Sequence, residues 1–327
     1  MADGAGRPAA PYFADVADGP AAAHWIAATD GVRLRAVHWH GPETKQGTVL
    51  ILTGRTEYAE KYGRIARDLA ARGFGCATLD WRGQGLSDRA HDDATRGHVE
   101  SFAEYQDDLD ALISHVEALG LPRPYHMLAH SMGGCIGLRA LTRGVPFATA
   151  CFTAPMWGVL MRPTLRVAAW GLSSASRLVG LSHLPSPGRS ATLEDAAEAA
   201  EANMLTRDAE SFEWVRRQVE AHPELGLAAP SLHWLHEALH ETRALSRLPS
   251  PDLPCLTLLG DEEWVVDSAR IRNRMARWPG SAFEMIAGGR HELLIEDDAT
   301  RGARLDRIAA HFTGSDYSAA PQLPTEG

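Results

Sequence analysis

Lysine is nearly missing from this chain: Lys45 and Lys61 are the only two, and arginine supplies the rest of the 32 basic residues, against 42 acidic ones. At a formal charge of −10 the scattered arginines leave no basic footprint, which argues against nucleic acid as a partner. Long apolar runs are missing too. No stretch of about 18 apolar residues occurs, as a membrane-spanning helix requires. The opening "MADGAGRPAAPYFADVADGP" puts acidic residues where a secretory leader needs an uninterrupted apolar region, so cytoplasmic residence is expected. Cysteine is scarce: Cys76, Cys135, Cys151 and Cys255 each lie in or beside an apolar run, without the short paired spacing of a zinc site. They read as buried, reduced thiols.

What is present is a rhythm. With 327 residues, 45% of them hydrophobic, the chain can bury one large core and carry an insertion. "AHWIAATDGVRLRAVHWHG" alternates around Asp30-Gly31, the signature of a two-residue hairpin turn. Short apolar runs then follow at 48–52, 75–80, 125–130, 148–154, 255–260 and 283–288, separated by amphipathic segments. That alternation predicts an α/β fold, a mostly parallel sheet with helices on both faces. "AEKYGRIARDLAARG" predicts a helix stopped by Gly73, and "SFAEYQDDLDALISHVEALG" one capped by Ser101 with Glu104 three residues on. The rhythm breaks over 156–248, which reads as a helical insertion, so the catalytic domain is expected at 21–155 and 249–313. Residues 1–20 and 314–327, rich in Ala, Gly, Pro and Asp, are expected to be mobile tails.

"HMLAHSMGG" (126–134) is the chemically loaded stretch. A strand turning sharply into a helix at Ser131 holds the hydroxyl exposed at the sheet's carboxyl end, and the turn needs small residues two positions to either side. Ala129 and Gly133 meet that need, although the first is usually glycine. A serine nucleophile requires a base, and the base a carboxylate. "LLGDEEWVVD" supplies acids after one predicted strand and "AGGRHELL" supplies His291 after the next, in the order serine, acid, histidine. The oxyanion donors expected are the backbone N–H of Met132, after the serine, and that of Arg55, in the loop "TGRTEYAEKY".

The stretches "GRTEYAEKY", "LDWRGQGLSDR", "HSMGG", "GDEEWVVD" and "GRHELL" together resemble the lysophospholipase and monoacylglycerol lipase branch of the serine α/β-hydrolases. The resemblance spans most of the catalytic domain. It implies an α/β-hydrolase fold with a helical cap formed by the insertion, and it places the catalytic acid at Glu263, three residues past Gly260 and four before Asp267, with Asp261 in reserve. It further implies hydrolysis of acyl esters such as lysophospholipids or monoacylglycerols through an acyl-enzyme, by Ser131, Glu263 and His291, with neither a metal nor an organic cofactor. Trp157, Leu160, Met161, Leu165 and Trp170 of the insertion are candidate lining for the acyl chain. "MWGVLMRPTLRVAAWGL", with Arg162 and Arg166, either rests transiently on a membrane surface or forms the cap's own core.

Other patterns support rival readings. "HEALH" (236–240) has the spacing of a zinc-protease helix, extended by His233, but it reads better as a polar face of the insertion. His130 sits on the opposite face of its strand from Ser131 and is expected to be a packed neighbour. Glu194, Glu198 and Glu201 share a helix face and would hold a substrate amine in a proline-type aminopeptidase. A non-catalytic binding protein of the same shape is the remaining alternative.

Overall fold

The apolar runs become strands because each is short, β-prone and bounded by turn residues. In the computed structural model, which describes residues 8–39, 44–91, 93, 95–186 and 205–315, they are β3 (Thr48–Leu52), β4 (Gly75–Leu79), β5 (Tyr125–His130), β6 (Thr149–Thr153), β7 (Cys255–Gly260) and β8 (Ala282–Ile286). With β1 (Ala22–Ala27) and β2 (Arg33–Trp39) they form one sheet in the order β1-β2-β4-β3-β5-β6-β7-β8. β1, β2 and β4 pair antiparallel and the rest parallel.

The central strands are apolar throughout because both faces are covered. Along β3, Leu50 and Leu52 face one core while Val49 and Ile51 face the other; along β5, Met127 and Ala129 face the first and Leu128 the second. Helices α2 (Glu104–Ala118) and α3 (Met132–Thr142) close the first core; α1 (Gly63–Ala70) and the long carboxyl-terminal helix (Asp298–Thr313) close the second. Between β6 and β7 run α4 (Pro163–Leu178), α5 (Ala209–Ala221) and α6 (Leu232–Leu245); α7 (Ser268–Met275) follows β7, and the carboxyl-terminal helix is α8. Among the described residues no helix is long and apolar enough to cross a membrane.

Three expectations are corrected. The hairpin loop holds three residues, not two: Ala28 N–H donates to the Val32 carbonyl at 2.9 Å, and Gly31 closes the turn at φ +87°, a conformation glycine adopts without strain. The capping box at Ser101 is only half formed: the Ser101 hydroxyl accepts the Ala103 N–H at 3.2 Å in the turn ahead of α2. The helix begins three residues later, and Glu104 is drawn away to the Arg82 guanidinium at 3.0 Å, because a charged partner outweighs a capping bond to the backbone. Residues 8–20 are not a loose tail: Ala10 N–H donates to the Ala23 carbonyl, Phe13 stacks on His222 with ring centres 3.6 Å apart, and Ala17 is fully buried. The apolar side chains scattered among the Pro and Asp of that stretch find partners that composition does not reveal.

Candidate active site

The site stands where β5 turns into α3. Ser131 takes φ +49° and ψ −115°, a strained conformation for a residue with a side chain, of a kind that costs roughly 1–3 kcal/mol. Three backbone bonds hold it: Ser131 N–H donates to the Thr153 carbonyl at 3.1 Å, and the Ser131 carbonyl accepts from Gly134 at 2.9 Å and Met156 at 2.8 Å. A Cβ on Gly133 would lie 2.0 Å from the Leu52 carbonyl oxygen, so that position tolerates no side chain. Ala129 is fully buried in the core on β5, and its extra methyl is packed there without displacing the turn.

The three candidate residues meet. His291 Nε2 lies 3.0 Å from Ser131 Oγ, and His291 Nδ1 lies 2.8 Å from Glu263 Oε2. The other carboxylate oxygen of Glu263 accepts the backbone N–H groups of Val265 at 2.6 Å and Val266 at 3.1 Å. Burial alone would push the Glu263 carboxyl up, but His291 and the two amides outweigh it and hold the group below the usual carboxylate range. All three residues are buried. Of the neighbouring acids, Asp261 is exposed and Glu262 turns to Arg207 and Arg290. The longer glutamate reaches the imidazole because its loop is fixed at both ends: Glu262 N–H donates to the Gly289 carbonyl and Asp267 N–H to the Gly158 carbonyl.

Met132 is the first residue of α3, where backbone N–H groups lack partners within the helix and the helix dipole is positive. In the pairing of β3 with β5, Leu52 lies opposite Ala129, so Gly54-Arg55 continues level with Ser131-Met132. The Arg55 side chain does more than solvate the loop. Its guanidinium bonds the Ala228 carbonyl and lies 5.4 Å from the Trp234 ring centre, joining this loop to the helical segment.

A second cluster, which reasoning from sequence missed, lies behind the serine. Lys61 Nζ bonds Glu57 at 2.5 Å and Glu292 at 2.7 Å. Glu57 also accepts the Gly54 N–H and, at 2.7 Å, the Tyr62 hydroxyl. The His130 ring lies 4.8 Å from that of His291, with Nδ1 3.0 Å from Thr153 Oγ1 and Nε2 3.5 Å from Glu292. Burial opposes charge on His130, yet Glu292 and Glu57 prevail and raise its pKa. Glu57 and Glu292 thus tie the loop of Arg55 to the residue after His291. The signals available were one of only two lysines set four residues after a glutamate, and an acid beside the histidine.

The five lining candidates are not brought together. Trp157 is closed into the core, edge-on to Phe152, and its Nε1–H donates to the Gly134 carbonyl at 3.0 Å, so it braces the serine turn from beneath and does not line a pocket. Leu160 and Leu165 are exposed, Met161 is half-buried, and Trp170 packs on His240 with ring centres 4.6 Å apart. His236 and His240 face Trp170, and Glu237 turns to the Phe102 N–H and to Arg177. Burial and then the neighbouring His240 push His236 down to about 4. Glu194, Glu198 and Glu201 lie outside the described residues.

An eight-stranded sheet of this order, a strained serine at a strand-to-helix turn and a buried serine–histidine–glutamate chain define a serine hydrolase of the α/β-hydrolase fold. Residues 43–298 match the family described as "Serine aminopeptidase, S33". Lysophospholipase L2 of Escherichia coli is 33% identical over 296 residues, covering 86% of this chain and 83% of that protein; a probable lysophospholipase L2 of Haemophilus influenzae is 28% identical over 280 residues, covering 85% and 87%. A soluble variant of monoglyceride lipase from Saccharomyces cerevisiae, solved with a substrate analogue, shares the fold at a TM-score of 0.69 and 16% identity, covering 88% of this chain and 94% of that one. The chain belongs to this serine hydrolase family, in its lysophospholipase and monoacylglycerol lipase branch, and is a carboxylic ester hydrolase. The family's description names aminopeptidases, but the relatives that run along most of the chain are named for lipid esters.

Proposed function

We propose that Ser131, His291 and Glu263 form the catalytic triad of a lysophospholipase, with monoacylglycerols as the related substrate class. The observation that carries this reading is the continuous chain Ser131 Oγ–His291 Nε2–His291 Nδ1–Glu263 Oε2, at 3.0 and 2.8 Å, under a strained serine. Ser131 Oγ attacks the acyl carbonyl while His291 Nε2 takes its proton; the Met132 and Arg55 amides receive the oxyanion; the C–O bond breaks, and His291 returns the proton to the departing alcohol. Water, deprotonated by the same imidazole, then cleaves the acyl-enzyme. Glu263 remains ionised throughout and steadies the imidazolium.

Helices α4 to α6, in the segment 156–248, serve as the cap, tied to the site by Arg55. The exposed apolar side chains of α4 and its C-terminal end rest on the lipid that holds the substrate: Leu165, Val167, Leu178 and Val179 are all exposed, Leu178 by 90%, with Arg162 nearby in sequence to meet anionic head groups. Trp264, 63% exposed beside Glu263, continues this rim. A fluorophosphonate should label wild type and not Ser131→Ala. For lysophospholipids kcat/KM should rise with acyl length by up to about fourfold per carbon, each fully buried methylene contributing about 0.8 kcal/mol, until the pocket is full. A prolyl anilide cleaved efficiently only with a free amine would overturn the ester substrate.

A further inference from the structure

Far from the serine, three histidines converge at the antiparallel edge of the sheet. His24 on β1 pairs with Ala36 of β2, and His38 lies two residues further along β2, so both imidazoles stand on the same face of the hairpin. Helix α2 packs on that face, and His115 in its last turn completes the group. Ring centres are separated by 5.5 Å for His24–His38, 5.3 Å for His24–His115 and 6.3 Å for His38–His115. Each residue offers a ring nitrogen within 4.8 Å of the other two. His24 and His115 are each only 5% exposed, while His38 is half-buried. Strands β4 and β3 stand between this hairpin and β5, which leads into Ser131.

We propose that His24, His38 and His115 form a binding site for one divalent transition-metal ion of the zinc class, a structural clamp between the N-terminal hairpin and α2. Neutral imidazoles are the preferred ligands of such ions, with metal–nitrogen distances of about 2.0–2.1 Å. Tetrahedral ligation sets nitrogens roughly 3.4 Å apart, so the three ring nitrogens, now within 4.8 Å of one another, would draw together by up to roughly 1.4 Å on binding. The partial exposure of His38 allows solvent to supply a water as fourth ligand. The other buried group of comparable reach among the described residues, Glu57, His130 and Glu292, differs because the Lys61 ammonium already bridges both carboxylates and supplies the cation there.

The clamp is tested on full-length, tag-free enzyme stripped with EDTA and titrated with zinc alone by calorimetry and thermal melting, then with cobalt(II) by visible absorption. The expected result is one ion per chain, a Tm raised by several degrees at saturating zinc, and the intense visible bands of tetrahedral cobalt. His115→Ala and the milder His38→Asn should each weaken zinc binding at least tenfold, with ester hydrolysis by the stripped enzyme kept as proof of folding. No uptake by wild type overturns the site. So does binding that survives both variants, or binding that is lost instead in His236→Gln/His240→Gln.

Discussion

Two imidazoles lie 4.8 Å apart beside Ser131, both buried and both within reach of carboxylates, yet the surroundings suit them to opposite tasks. His291 has one carboxylate at Nδ1 and a hydroxyl at Nε2. Glu263 fixes the proton on Nδ1 and leaves Nε2 a lone pair for the serine, the arrangement a general base requires. His130 has acceptors on both sides: the Thr153 carbonyl and hydroxyl face Nδ1, and Glu292 at 3.5 Å and Glu57 at 3.8 Å face Nε2. That setting favours the doubly protonated ring, which has no lone pair to offer. A single carboxylate makes a base, whereas two carboxylates, acting against the nearby Lys61 ammonium, favour the charged ring.

The largest test of this contrast exchanges the two rings for glutamine. His291→Gln should lower kcat by about 10⁴ or more, with fluorophosphonate labelling falling in parallel; His130→Gln should keep kcat within about tenfold, since it removes no proton acceptor. Equal losses would show that both rings serve the serine. Glu263→Gln comes next, with kcat down by about 10³–10⁴ as the imidazole loses its orienting charge, while Asp261→Asn should stay within about twofold. Lys61→Met probes the other cluster and should act on stability first. Stripping the ammonium leaves Glu57 and Glu292 facing each other with His130 alone, a change of the kind that costs about 3–5 kcal/mol, visible as a lower midpoint in urea. The residual activity should show a reduced kcat, because Glu57 also holds the Gly54 N–H beside Arg55. An unchanged urea midpoint would mean that the network contributes nothing net.

How much of this was legible beforehand follows from what each feature depends on. β3, β5 and β7 begin and end where their apolar runs do, because a strand buried on both faces writes itself locally as an uninterrupted run between turn residues. The meeting of Ser131 and His291 with an acid after β7 was legible for a related reason, since each follows a strand's carboxyl end in the expected chain order, whereas the choice of Glu263 over Asp261 came only from the family resemblance of "GDEEWVVD". The Glu57–Lys61–Glu292 cluster was not: Lys61 and Glu292 are 231 residues apart, and no local pattern announces a buried ion pair formed across the sheet. Nor was the role of Trp157, whose apolar neighbours fit a pocket wall as well as the core it joins. The Ser101–Glu104 pattern misled because capping is weak beside the charge of Arg82, which comes from another loop.

The smallest expected effect is also the most specific, and it rests on the sign of one proton. The pKa of His130 is raised above its ordinary value, so the stabilisation from its charge is fully present below about pH 6.5 and is lost as pH rises through the folded-state value. Glutamine in its place cannot titrate. The Tm gap between wild type and His130→Gln should therefore be widest in mildly acidic buffer and narrow on going towards pH 9. Glu263 titrates in the opposite sense: its lowered pKa adds stability above the ordinary carboxylate range that fades only in acid, as pH falls through the folded-state value, so it does not produce a narrowing on the alkaline side. A gap that stays constant, or widens with pH, would mean that His130 is neutral when the enzyme is folded, and the division of labour between the two rings would rest on Glu263 alone.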